Sequence, residues 1–159
     1  MPPEPFYDLS RLDQSKLLAT HEQIRQINPH RYEFELLDGI FTVDQEANVI
    51  VGYRDVRSDE FWARGHIPGR PLLPGVLIIE TAAQLVSWYV KAVLEPGPGF
   101  LGFGAADAVK FRGQVVPGDR LIMVGKMLKM RPKRLYVGAT QGFVNGQMVY
   151  EGAITGIIL

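Results

Sequence analysis

An α+β fold, an antiparallel sheet curled around one long central helix, is predicted by three features of the sequence. Two strand-like runs rich in β-branched and aromatic residues occupy 31–44 and 48–57. A single apolar segment, 74–94, has the length of a helix of several turns, and four more strand-like runs joined by short turns follow it.

Taken in order, residues 1–28 read as an N-terminal extension: Leu9, Leu12, Leu17, Ile24 and Ile27 recur loosely at helical spacing, which predicts one or two short surface helices. Pro29 ends any helix there, and 29–159 reads as a single domain. Val49, Val51 and Tyr53 alternate, which predicts one buried face. Residues 58–73 lack periodicity and contain Pro68 and Pro71, as an ordered loop does. Pro74 suits a first helical position, and Glu80, Gln84, Ser87 and Lys91 then fall on one narrow stripe of the helix. The other faces are apolar, so the helix is expected to be wrapped by protein. A membrane span would have to carry Glu80 and Lys91, each costing about 2.5–3.5 kcal/mol near mid-bilayer, and no membrane insertion is expected. Residues 95–104 read as a flexible glycine-rich connection. The last four strands are read at 108–116, 120–130, 134–144 and 147–158, with Asn145-Gly146 as a hairpin turn.

The chain has 159 residues, 47% of them hydrophobic, enough for one buried core. Seventeen basic residues balance seventeen acidic ones, so no overall field draws it to nucleic acid. Without cysteine there can be no disulfide and no thiolate chemistry. The first ten residues show no basic and apolar leader pattern, and the expected location is cytoplasmic.

Gly97, Gly99 and Gly102 spell G-x-G-x-x-G, but the motif follows a helix instead of a strand and includes Pro98, so it reads as a loop. The basic run Lys126, Lys129, Arg131, Lys133 and Arg134 reads first as a solvated hairpin end and second as a landing patch for an acidic partner. His21, His30 and His66 lack metal-ligand spacing, so no metal is expected, and no serine sits in G-x-S-x-G.

The stretch "GHIPGRPLLPGVLIIE" holds the strongest chemistry. His66 lies on a loop rich in proline and glycine, and its imidazole, titrating near neutrality, can accept a proton. A carboxyl on a largely apolar helix, Glu80, is expected to be desolvated, which favours its protonated, donating form. Gly75 opens the helix, where backbone N–H groups lack intrahelical partners and favour developing negative charge. Base, acid and oxyanion donor together suit proton abstraction beside a carbonyl with loss of a hydroxyl from the next carbon.

These residues resemble the signature of the FabZ-type 3-hydroxyacyl-(acyl-carrier-protein) dehydratases, which have the hot-dog fold. "GHIPGRPLLPGVLIIETAAQ", "PHRYEFELLDGI" and "KFRGQVVPGDRL" carry the resemblance, from Asn28 to the C-terminus. The resemblance implies that His66 removes the C2 proton, Glu80 protonates the departing C3 hydroxyl, Gly75 polarises the thioester carbonyl and Gln84 orients the carboxyl. It further implies substrate contact at Ile67, no cofactor, and a homodimer with composite sites, His66 from one protomer and Glu80 from the other, extendable to a trimer of dimers. The acyl chain would arrive on the phosphopantetheine arm of an acidic acyl carrier protein, with Lys110, Arg112 and Arg131 as candidate contacts. The sequence departs from the family at Ile67, where phenylalanine is usual, at Glu33 and Glu35, and in its longer N-terminal extension. A cis peptide is expected between His66 and Ile67. A hot-dog acyl thioesterase and a non-catalytic acyl-thioester binding subunit are the alternatives.

Overall fold

Asn145 and Gly146 both take positive φ, 49° and 78°, the conformation in which a two-residue turn matches the right-handed twist of its strands. Val144 therefore pairs with Gln147, and β5 (Leu135–Val144) and β6 (Gln147–Ile158) form a long hairpin. The computed structural model describes residues 1–159. Four further strands complete one antiparallel sheet: β1 (Gly39–Asp44), β2 (Val49–Asp55), β3 (Leu101–Phe111) and β4 (Arg120–Arg131), in the order β1-β2-β4-β5-β6-β3. A short helix, α1 (His21–Arg25), lies in the N-terminal segment, and the long helix, α2 (Gly75–Tyr89), continues as a π-helical turn over Val90–Leu94. This is the hot-dog architecture.

The sheet curls around α2. Leu77, Ile78, Ala82, Leu85, Val86 and Tyr89 on the helix share one core with Ile40, Ile50, Leu121, Met123, Tyr136, Tyr150 and Ile154 from the strands. Glycines mark the closest approach: a Cβ at Gly52 would lie 2.9 Å from Leu85, and one at Gly138 would lie 3.0 Å from Val86. Residues 75–94 have the length and apolarity of a membrane span, but the sheet buries most of their surface. A second, smaller cluster comprises Phe41, Val49, Val51, Ile122, Val124 and Phe143. Phe6, Tyr7, Leu9 and Leu12 of the N-terminal segment pack on it. The buried Gln141 amide fastens that segment, accepting from the Phe6 N–H at 2.9 Å and donating to the Glu4 carbonyl at 3.0 Å.

Two strands differ from expectation. The first begins at Gly39, not near 31, because Gln84 intercepts the backbone of the preceding segment: its Oε1 accepts from the Leu36 N–H and its Nε2 donates to the Phe34 carbonyl. With those groups bonded to a helix side chain and Tyr32–Phe34 wound into a 3-10 turn, the chain meets β2 only at Asp38, whose N–H donates to the Tyr53 carbonyl at 2.9 Å. The strand expected at 108–116 occupies Leu101–Phe111. Its glycines read as a loop, but Ile157 and Leu159 from the adjacent segment fill the space that side chains at Gly102 and Gly104 would need. The Pro117-Gly118-Asp119 turn joins strands that are not neighbours, because β3 pairs with β6 at the sheet edge and β4 lies between β2 and β5. Pro74 immediately precedes α2 instead of occupying its first position.

Candidate active site

The loop that carries His66 is anchored at both ends. Its entry is held by the buried Trp62, whose carbonyl accepts the His66 N–H at 2.9 Å, and its exit by the Leu73 N–H, which donates to the Val115 carbonyl at 2.8 Å. Further back, Glu60 forms an ion pair with the buried Arg54 of β2. Between the anchors, Ile67 and Arg70 exchange backbone hydrogen bonds in a tight turn, and the His66–Ile67 peptide is cis. His66 Nδ1 lies 2.8 Å from the Leu72 carbonyl oxygen. A carbonyl can only accept, so Nδ1 carries the proton and Nε2 is left as the free, basic nitrogen of the neutral ring. The His66 side chain is exposed, as is Ile67 beside it.

Glu80 sits one and a half turns into α2. Its Oε1 accepts a hydrogen bond from Gln84 Nε2 at 3.1 Å, one turn further on, as i, i+4 spacing dictates. Gln84 is only 2% exposed and uses both of its amide N–H donors and its oxygen, so its geometry is fixed from both sides. His30 Nε2 lies 3.4 Å from the same Glu80 oxygen. Burial is the main cause that lowers the pKa of His30; the Glu80 carboxylate opposes this and Arg31 adds to it. Glu80 and His30 open onto a cavity of about 60 Å³ lined also by Ser87, Leu101, Phe103 and Thr155. His66 does not line that cavity.

At Gly75, no side chain caps the helix, and the Gly75 and Val76 N–H groups find no acceptor in the chain. The glycine is also required sterically, since a Cβ would lie 2.6 Å from the tip of the Phe111 ring.

The structure brings Glu80 and Gln84 together and leaves His66 on a separate exposed loop of the same chain. It also divides the three basic candidates. Lys110 registers with Glu151 of β6, whereas Arg131 registers through Leu135 with Ile157, six residues further along that strand, or about 20 Å. Arg112 is already committed to Glu151 at 2.6 Å. Lys110, Arg112 and Arg131 thus form no single patch. Sequence reasoning weighed His30 only as a metal ligand and so missed its place beside Glu80. The signal was present in the polar stripe of α2, because a buried Gln84 must find partners and the polar segment 28–36 still has the Phe34 carbonyl and Leu36 N–H to place. Glu35, a departure from the resembled pattern, lies 2.7 Å from His21 Nε2 and 3.3 Å from Arg25 Nε, which packs this segment against α1.

The FabA-like domain family matches residues 28–153. Among solved structures, the dehydratase heterocomplex ApeI:P from Xenorhabdus doucetiae superposes with a TM-score of 0.71 at 18% identity, over 86% of this chain and 90% of that one. AziG of S. sahachiroi gives 0.58 at 18% identity, over 77% and 90%. Smu.793 from Streptococcus mutans, bound to acetyl CoA, gives 0.59 at 13% identity, over 82% and 93%. At such identities the likeness is one of fold.

Proposed function

This chain belongs to the FabA-like domain family, and on that premise we propose that it is a FabZ-type hydro-lyase converting a (3R)-3-hydroxyacyl-acyl-carrier-protein into the trans-2-enoyl thioester and water in type II fatty acid synthesis. The observation that carries this reading is the orientation of His66: with Nδ1 committed to Leu72, Nε2 is the only ring nitrogen able to take a proton. Nε2 removes the C2 proton, and the Gly75 N–H, free at the start of α2, stabilises the charge that develops on the thioester oxygen. The C3–O bond breaks as Glu80 delivers its proton to the departing hydroxyl, giving water and the C2–C3 double bond. Solvent then takes the proton from His66 and restores one to Glu80. Ile67 would flank the substrate beside the base.

The site is completed across two protomers. Because β3 is an eleven-residue edge strand with Phe103 and Phe111 exposed on it, its unpaired backbone is a template for a second copy. Phe103 also lines the cavity beside Glu80, so a partner docked on this edge reaches that carboxyl. A trimer of dimers extends the same assembly. The carrier protein, an acidic partner in the cytoplasm, would contact either Lys110 or the exposed Arg131 hairpin, not both through one small patch.

The test is incubation of the protein with 3-hydroxyacyl thioesters on acyl carrier protein and on coenzyme A, reading enoyl absorbance and free thiol together. His66→Ala and Glu80→Gln, still folded, should each lower kcat/KM about 10²- to 10⁴-fold. Parent rates in both variants would refute the assignment. Thiol without enoyl product would make the protein a thioesterase, and binding without turnover a non-catalytic subunit.

A further inference from the structure

We propose that His30 is a positioning residue for Glu80: Gln84 donates to one carboxyl oxygen, Oε1, and His30 Nε2 stands 3.4 Å from the same atom, where a small turn of the ring brings its N–H to bear, so that Oε2 is the oxygen that passes the proton. The inference rests on the dehydration proposed above for its chemistry, but its geometry stands on this chain alone. Gln84 Nε2 lies 3.1 Å and His30 Nε2 3.4 Å from the same atom, one from within α2 and the other from the segment wrapped against it. Besides the two Gln84 bonds to Phe34 and Leu36, further hydrogen bonds fix the stretch around His30. Asn28 Nδ2 donates to the Gln84 carbonyl at 3.1 Å, and Arg31 donates to the carbonyls of Asn28 and His30 at 2.9 and 2.6 Å.

The neutral ring has one proton to place. Nδ1 is shut away from solvent with no partner in the protein. A proton there would be stranded, and the Nε2 lone pair would be turned toward a carboxyl oxygen. A proton on Nε2 avoids both costs and points a donor at Oε1. The groups facing His30 are Glu80 from α2, its neighbour Arg31, and, around a second small cavity, His21 and Arg25 of α1 with Glu35. Burial outweighs the pull of Glu80 and keeps the ring uncharged near neutral pH. The charge state matters, because an imidazolium here would hold Glu80 ionised and disable it as an acid, whereas a neutral donor orients the carboxyl and leaves its proton transferable. In the protonated acid Oε1 is the carbonyl oxygen, accepting from Gln84 and facing His30 Nε2, and after transfer it keeps both neighbours.

The experiment compares the parent with His30→Phe, which keeps a planar ring but no donor, and His30→Gln, which keeps an N–H. The Glu80 carboxyl, labelled with carbon-13, is titrated by NMR. Loss of a donor to a carboxylate raises its pKa, so the expected result is titration at higher pH in His30→Phe and near the parent in His30→Gln. Steady-state rates should show kcat about tenfold lower in His30→Phe with KM little changed, and most of it recovered in His30→Gln. An unmoved titration in folded His30→Phe, or equal losses in both variants, would make His30 a packing residue and overturn the proposal. Should His30→Phe not fold, nitrogen-15 shifts of His30 in the unaltered protein decide: a protonated Nε2 is expected, and a protonated Nδ1 is fatal. Both NMR readouts need no substrate, so absence of dehydration by the parent would sink the functional reading and leave the question of His30 answerable.

Discussion

His66 and Leu72 exchange two hydrogen bonds: the imidazole Nδ1–H donates to the Leu72 carbonyl and the Leu72 N–H donates to the His66 carbonyl, each at 2.8 Å. The pair closes the seven residues 66–72 on themselves, and the same contacts that set the backbone also set the tautomer. An imidazole held this way would spend little entropy on reaching the orientation that the proposed proton abstraction needs.

Leu72→Pro removes the N–H and keeps the carbonyl, so it loosens the loop without deleting the acceptor of Nδ1. The expected result is a loss of roughly 10- to 100-fold in kcat with little change in the unfolding midpoint. A parent-like kcat would show that this bond does not position His66 for the proposed reaction.

Glu60 neutralises Arg54, which is 2% exposed and otherwise reaches only Thr81 Oγ1, at 3.4 Å. Glu60→Ala leaves a buried guanidinium unpaired and should cost about 3–5 kcal/mol in urea unfolding. Glu60 also accepts the Arg57 N–H at 2.7 Å through its second oxygen, so the loop entering the His66 segment loses its footing as well. A cost below about 1 kcal/mol would mean that water reaches Arg54 and replaces its partner.

Gly75 and Phe111 compete for one volume. Gly75→Ala pushes its Cβ against three ring atoms at 2.6–2.9 Å and should destabilise by about 1 kcal/mol, the low end of overpacking costs because the half-exposed ring can swing away. In a Phe111→Ala background the same change should be neutral or stabilising. Equal costs in the two backgrounds, measured by denaturant unfolding, would rule out the steric account.

For His30, burial lowers the folded-state pKa below the ordinary imidazole value of 6.5. Between those two values the unfolded chain binds more protons, so the stability associated with the neutral ring is fully present above pH 6.5 and is lost as pH falls through the folded value. His30→Gln should flatten the fall in stability on the acid side, read as urea midpoints from about pH 7.5 down to about pH 5. Identical slopes in the two proteins would remove His30 from the acid response.

Local sequence alone determined the elements that rest on short-range rules. The Asn145-Gly146 hairpin, the α2 segment with its stripe of Glu80, Gln84, Ser87 and Lys91, and the proline-rich loop bearing His66 all follow from dihedral preference and spacing within a few residues. The candidates for base, acid and helix-start glycine were nominated for the same reason, since the proposed chemistry belongs to residue types at fixed offsets along one stretch. Tertiary structure decided what depends on distant partners. Gln84 holds Phe34 and Leu36 off the sheet, and pairing with β6, with Ile157 and Leu159 filling the space beside Gly102 and Gly104, made a strand of those glycines. His30, fifty residues from Glu80, acquired its place only when the segment folded over the helix. The physical reason is common to all three. A buried polar group or an empty volume must be satisfied by whatever the fold brings near, and a linear pattern carries the need without naming the partner.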